Sequence, residues 1–68
     1  MDIDVLLRRL AHPAQRALRG AGITRLDQLT KYHETEILEL HGIGKNAMKT
    51  IRAVMKEYGL AFKGKGPG

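Results

Sequence analysis

The sequence predicts an all-α fold, a compact bundle of four to five short helices. Leu, Ala, Arg, Lys and Glu are frequent among the 68 residues, and these residue types favour helices. Apolar residues recur every three or four positions, and no strand-like alternation extends beyond a few positions. The sequence has no cysteine. A domain this small therefore depends on apolar packing rather than on disulfides.

The first two helices lie on either side of Pro13. Residues 1–11 are predicted to form an N-terminal helix, with an extended arm as the alternative, because their apolar residues have helical spacing. Proline is favoured in the first turn of a helix, so Pro13 predicts the start of the second helix. Gly22 predicts its end, since glycine followed by an apolar residue is typical of a helix C-terminus.

Three further helices are predicted. Thr24 is the expected N-cap of a short helix that extends to about Lys31, with Asp27 placed for a capping box. Acidic residues favour the start of the next helix, over about residues 34–40. The last helix extends from about Lys45 to Tyr58.

Residues 12–62 are predicted to form a single domain. The apolar residues that we expect in its core include Leu26, Leu29, Ile37, Leu38, Leu40, Tyr58, Leu60 and Phe62. Residues 63–68 contain only lysine, glycine and proline, so we expect a disordered basic tail.

An internal repeat with an offset of 22 residues relates two glycine-rich turns. Gly20 and Gly22 align with Gly42 and Gly44, and the flanking apolar residues align as well. Each copy has the pattern of a helix end, a glycine hairpin and a following helix. The repeat predicts a structural duplication, with coincidence in a glycine-rich sequence as the alternative.

Positive charge is concentrated on the last predicted helix. The net charge of +5 favours polyanionic partners. Four basic residues fall within an arc of about 60° around this helix. They are Lys45, Lys49, Arg52 and Lys56. Like charges at this spacing repel each other, which favours an anion as partner over a merely solvated face. Arg16 and Arg19 form a second basic pair.

The glycine turn before the last helix predicts a phosphate site. Glycines let a ligand approach the backbone closely, here at Gly42, Ile43 and Gly44. The helix that follows directs free N–H groups and the positive end of its dipole at the same place. Gly20 and Gly22 are predicted to make a second, poorer contact of this kind.

Several short motifs between residues 12 and 62 have a recognisable spacing. They are Gly22-Ile23, Leu26-x-x-Leu29, Glu34-x-Glu36-Ile37-Leu38, Ile43-Gly44-Lys45, Ile51 and Gly59-Leu60. Together they resemble the C-terminal domain of the bacterial RNA polymerase alpha subunit, and the Gly42-Ile43-Gly44 turn resembles a helix-hairpin-helix motif. The resemblance implies a helical bundle that binds the DNA backbone and minor groove and contacts transcription proteins. We expect a free-standing relative of that domain.

The resemblance also implies a DNA surface. In the family this surface uses the start of the first core helix, the hairpin and the start of the last helix. In this sequence it falls on Pro13, Arg16, Gly44, Lys45, Asn46 and Ala47. The family's groove-entering arginine aligns with Pro13, which favours backbone contacts over the reading of A·T-rich grooves. The predicted DNA-binding residues are Arg16, Arg19, Gly42, Ile43, Gly44, Lys45, Asn46, Lys49 and Arg52.

The predicted function is non-catalytic, largely sequence-independent binding of duplex DNA. Serine and cysteine nucleophiles are absent, and His12, His33 and His41 fit no metal-binding motif. We therefore expect no catalytic residue, metal or cofactor. The alternative function is a protein-interaction adaptor that does not bind DNA. No apolar run approaches the length of a membrane span and no signal peptide is evident, so we expect a cytoplasmic protein. We also expect a monomer.

Overall fold

The structure, a computed structural model, describes residues 2–64. In this part of the chain five helical elements follow one another. They are α1 (Asp4–Leu7), α2 (His12–Gly20), a 3₁₀ helix (Leu26–Lys31), α3 (Glu34–Leu38) and α4 (Lys45–Glu57). Asp2 and Arg25 form an isolated antiparallel β-bridge. The prediction of an all-α bundle is confirmed.

All five elements contribute to one apolar core, and the described residues include no buried polar or charged side chain. The longest helix, α4, supplies Met48, Ile51, Val54 and Met55 from one face. Leu6 and Leu7 of α1 are buried with them, and α1 packs directly against α4. Residues 4–7 are therefore helical, as the apolar spacing predicts, and pack in the same core as the rest of the chain.

The segment after Gly22 differs from the prediction. Its helix is a 3₁₀ helix that begins at Leu26, and Arg25 rather than Thr24 is the N-cap residue. The Gln28 side-chain oxygen accepts hydrogen bonds from the backbone N–H groups of Thr24 and Arg25, both at 2.8 Å. Gln28 thus has the role predicted for Asp27, because its side chain can reach back over the first turn.

Two predicted core residues are exposed. Leu38 is 40% exposed and Tyr58 is 43% exposed. Leu38 is the last residue of the short helix α3, whose buried residue is Ile37. Tyr58 follows the last turn of α4, where Gly59 reverses the chain with a φ of 71°.

The chain after α4 returns to the core. The Leu60 N–H donates to the Met55 carbonyl at 2.7 Å, and Phe62 is buried as predicted. The Lys63 N–H then donates to the Tyr32 carbonyl at 2.8 Å, so Lys63 is held by the backbone. Gly64 is also described, and residues 65–68 of the predicted disordered tail lie outside the described part of the chain.

The backbone does not reproduce the 22-residue repeat. The glycines with positive φ in the two turns are Gly22, at 80°, and Gly42, at 100°. The repeat instead pairs Gly22 with Gly44, whose φ is an ordinary −106°. Gly20 simply ends α2. The predicted duplication is therefore wrong at the level of backbone conformation.

Different hydrogen bonds close the two turns, which explains this mismatch. In the first turn, the Ile23 N–H donates to the Leu18 carbonyl, a helix C-terminal closure. In the second turn, the Ile43 N–H donates to the Leu40 carbonyl three residues earlier. Only the second turn leads directly into an α-helix.

Candidate nucleic-acid interface

The starts of α2 and α4 meet where Gly42 packs on Pro13. A Cβ atom at Gly42 would lie 2.5 Å from the Pro13 carbonyl oxygen and 3.0 Å from its carbon. Such a contact disfavours any side chain at position 42, and the φ of 100° also favours glycine there. Pro13 lies in the first turn of α2, while Gly42 lies three residues before α4. The contact therefore joins two helix N-termini into one surface.

Two grooves lie on this surface and share Pro13 and Gly42. The first, which we name the histidine groove, is lined by His12, Pro13, Arg16, Ala17, His41 and Gly42. The second, the helix-start groove, is lined by Arg9, Leu10, Ala11, Pro13, Ala14, Gly42, Gly44, Lys45, Asn46, Ala47 and Thr50. No carboxylate lines either groove in the part of the chain that the structure describes.

Free backbone N–H groups face outward at the start of α4. The first hydrogen bond of this helix runs from the Met48 N–H to the Gly44 carbonyl, at 2.9 Å. Gly44 is the N-cap residue and offers no side chain for capping. Within residues 2–64, the N–H groups of Lys45, Asn46 and Ala47 have no hydrogen-bond acceptor. An anion at this position would satisfy them and complement the helix dipole.

Gly44 itself leaves this position open. Its φ of −106° is accessible to any residue, and no atom lies within 4 Å of the position that a Cβ would occupy. The fold of the protein therefore does not require glycine here. What the missing side chain provides is room for a ligand to approach the three free N–H groups.

Ile43 does not contribute a free N–H group. Its amide donates to the Leu40 carbonyl at 3.0 Å, and its side chain is only 6% exposed. The expectation that the Ile43 amide is available to a phosphate is therefore wrong for this conformation. Ile43 instead anchors the turn in the core and so fixes the position of Gly42 and Gly44.

The four basic residues within one arc of α4, Lys45, Lys49, Arg52 and Lys56, were predicted to form a basic stripe with no acidic residue in it. The structure interrupts this basic stripe at Arg52. The Arg52 guanidinium lies 3.3 Å from a carboxylate oxygen of Glu34, whose side chain is only 19% exposed. The prediction of a purely basic stripe is wrong here because the carboxylate comes from α3, which the angles around α4 cannot reveal. Lys45, Lys49 and Lys56 are exposed and have no ion-pair partner among the described residues.

A second ion pair lies beside the helix-start groove. Arg9 contacts the Glu57 carboxylate at 2.7 Å, with about half of each side chain exposed. The hydrogen bond to Glu57, together with the attraction of its charge, raises the pKa of Arg9. Arg9 therefore stays charged, but Glu57 offsets that charge at the groove edge.

The structure brings together most of the predicted site residues. Those that line the two grooves are Arg16, Gly42, Gly44, Lys45 and Asn46. Arg19, Lys49 and Arg52 are exposed on the same two helices but line neither groove.

Besides Arg9 and Thr50 of the helix-start groove, sequence reasoning missed His12 and His41 of the histidine groove. Their signal is positional: His12 precedes Pro13 and His41 precedes Gly42, the two residues that make the helix-joining contact. Among the described residues, no group of three or more His, Cys, Asp or Glu side chains is arranged to hold a metal ion.

Comparison with known proteins reveals similarity to the alpha subunit of DNA-directed RNA polymerase. The chain is 31% identical over 64 residues to this subunit from Syntrophus aciditrophicus (strain SB), covering 87% of this chain and 19% of the relative. It is 26% identical over 62 residues to the subunit from Desulfitobacterium hafniense (strain DSM 10664 / DCB-2), covering 91% and 18%. The chain is similar to part of the alpha subunit of bacterial RNA polymerase. The predicted resemblance is thereby confirmed.

The similarity has a limited extent. The chain spans about a fifth of the length of the curated relatives it matches. No family model and no solved structure matches the chain. Over the described residues, no helix has the length and apolar character that crossing a membrane requires.

Proposed function

We propose that this chain is a non-catalytic, transcription-related domain that binds duplex DNA through its backbone and minor groove. The contact between Gly42 and Pro13 carries the proposal. It places the free N–H groups at the start of α4 beside the groove that contains Arg16. The relatives are named as subunits of a DNA-directed polymerase, which supports a DNA-related role.

Each part of the surface has a distinct role in this proposal. The N–H groups of residues 45–47 hold one phosphate at the start of α4. Lys45 and Lys49 neutralise neighbouring phosphates along the same strand. Arg16 extends from the histidine groove towards the minor groove of the DNA. Arg52 contributes less than the two lysines because Glu34 already offsets its charge.

The expected affinity is modest and depends on salt. Contact with about 3–5 phosphates, without base-specific readout, gives a Kd of about 10⁻⁴–10⁻⁶ M at physiological salt. The logarithm of the affinity should fall linearly with the logarithm of the salt concentration, with a slope of about −0.9 for each phosphate contacted.

A charge-reversal pair tests the proposal. Fluorescence anisotropy with a labelled 14-base-pair duplex compares Lys45→Glu/Lys49→Glu with Lys31→Glu/Lys63→Glu. Both double variants change the net charge equally, but Lys31 and Lys63 line neither groove. We expect the first variant to lose binding and the control to keep most of it. Equal losses in two folded variants would show that only net charge matters and would refute the proposed surface.

A protein-interaction adaptor is the second candidate function. Leu38 and Tyr58 are the large apolar residues most exposed in the described chain, and such residues can anchor a protein partner. A transcription protein bound there would tolerate salt better than DNA does, since apolar contacts are not screened.

A further inference from the structure

The histidine groove combines three cationic or potentially cationic side chains at one point of the surface. His12 and Arg16 come from α2, and His41 comes from the turn before α4. All three residues are exposed. The groove has a volume of about 350 Å³, enough to admit a phosphate group.

The side chains that line the groove together with these imidazoles carry a positive charge or none. The other residues that line the groove are Pro13, Ala17 and Gly42, which carry no charge. Across the Pro13–Gly42 contact, the adjoining groove adds Lys45 and the Glu57-paired Arg9. Glu39, the carboxylate nearest to His41 in sequence, does not line the groove. Neither imidazole has a hydrogen-bond partner among the described residues, so nothing there competes with a ligand.

We infer that the histidine groove is a second phosphate subsite of the DNA interface and that its occupancy increases when His12 and His41 are protonated. This inference rests on the proposed DNA-binding function. A neutral imidazole gives little electrostatic attraction to a phosphate. A protonated imidazole adds a full positive charge and a charge-assisted N–H donor. Histidine side chains gain this charge between pH 8 and pH 5, whereas DNA phosphates stay ionised, so binding couples to proton uptake.

The size of the effect follows from counterion release. One added phosphate contact steepens the salt dependence by about 0.9 in the log–log slope. Between 50 and 200 mM salt, this makes the loss of affinity about threefold larger for each contact. Occupancy of this one subsite should therefore make that loss about threefold larger at pH 5.5 than at pH 8.

The experiment measures DNA affinity at pH 8.0, 7.0 and 5.5 over a range of KCl concentrations, with the same labelled duplex. We expect the wild-type slope to steepen by about 1 as the pH falls. The variant His12→Gln/His41→Gln should keep a nearly constant slope from pH 8.0 to pH 5.5. The control variant His33→Gln, changed outside both grooves, should retain the wild-type pH dependence. Circular dichroism at each pH monitors folding.

The possible failures are distinguishable. Absence of binding at every pH at low salt would overturn the proposed DNA-binding function itself. Binding with the same salt slope at pH 8.0 and pH 5.5 would leave that function standing and overturn the histidine subsite. A pH dependence that persists in the folded His12→Gln/His41→Gln variant would also overturn it, because the proton would then be taken up elsewhere.

Discussion

Replacing Gly42 with alanine tests the contact that joins the two helix starts. The new Cβ would lie 2.5 Å from the Pro13 carbonyl oxygen, in a residue whose φ is 100°. The left-handed conformation alone costs about 1–2 kcal/mol for a residue with a side chain. Relief of the clash requires backbone movement, which adds about 1–3 kcal/mol. We therefore expect the free energy of unfolding to fall by about 2–5 kcal/mol.

Gly22→Ala is the matched control for this substitution. Gly22 also has a positive φ, 80°, but no atom lies within 4 Å of its would-be Cβ. Its substitution should cost only the conformational strain, about 1–2 kcal/mol. Urea unfolding of both variants measures the difference, with thermal melts as a second measure if Gly42→Ala is too unstable for a native baseline. Equal losses of stability would refute the tight packing of Gly42 on Pro13.

Three further substitutions test other parts of the structure. Gly20→Ala should raise the free energy of unfolding by about 0.5–1 kcal/mol, because Gly20 is helical and no atom obstructs a Cβ there. A loss of stability as large as that of Gly42→Ala would instead support the sequence repeat, which aligns these two glycines. Lys45→Glu should stabilise α4 by about 0.5 kcal/mol, because a negative charge suits the positive end of the helix dipole, and should weaken DNA binding. A loss of stability together with the loss of DNA affinity would contradict the role given to the start of α4. Gln28→Ala should lower stability by about 1 kcal/mol, with Gln28→Glu close to wild type, and chemical denaturation would show whether the acceptor oxygen matters.

Local sequence signals were enough to predict most of the fold. Helical spacing identified α1 and α4, and Pro13 and Gly22 correctly bounded α2. These signals predict helix boundaries because they depend only on residues that are close in sequence. A proline favours the first turn of a helix, and a glycine favours the position after its last turn. The capping of the 3₁₀ helix was missed because the helix begins one residue later than predicted. Arg25, a residue type that is not favoured at an N-cap, therefore takes the place of Thr24, and Gln28 takes that of Asp27.

Features that depend on contacts between distant segments were not predictable in the same way. The pairing of Arg52 with Glu34 and the packing of Gly42 on Pro13 both join separate elements of the fold. The grouping of His12 with His41 arises only because that packing brings α2 next to the turn. The family resemblance did predict that the starts of the first core helix and the last helix share a surface.

The most direct test of the proposed interface is an amide-resolved NMR titration of the protein with a short duplex at low salt. We expect chemical-shift changes at residues 44–49 and 12–16 that shrink together as salt is added. Two duplexes, one A·T-rich and one G·C-rich, would reveal any groove preference. Shift changes centred instead on Leu38 and Tyr58, or no changes at low salt, would contradict DNA binding through the joined helix starts.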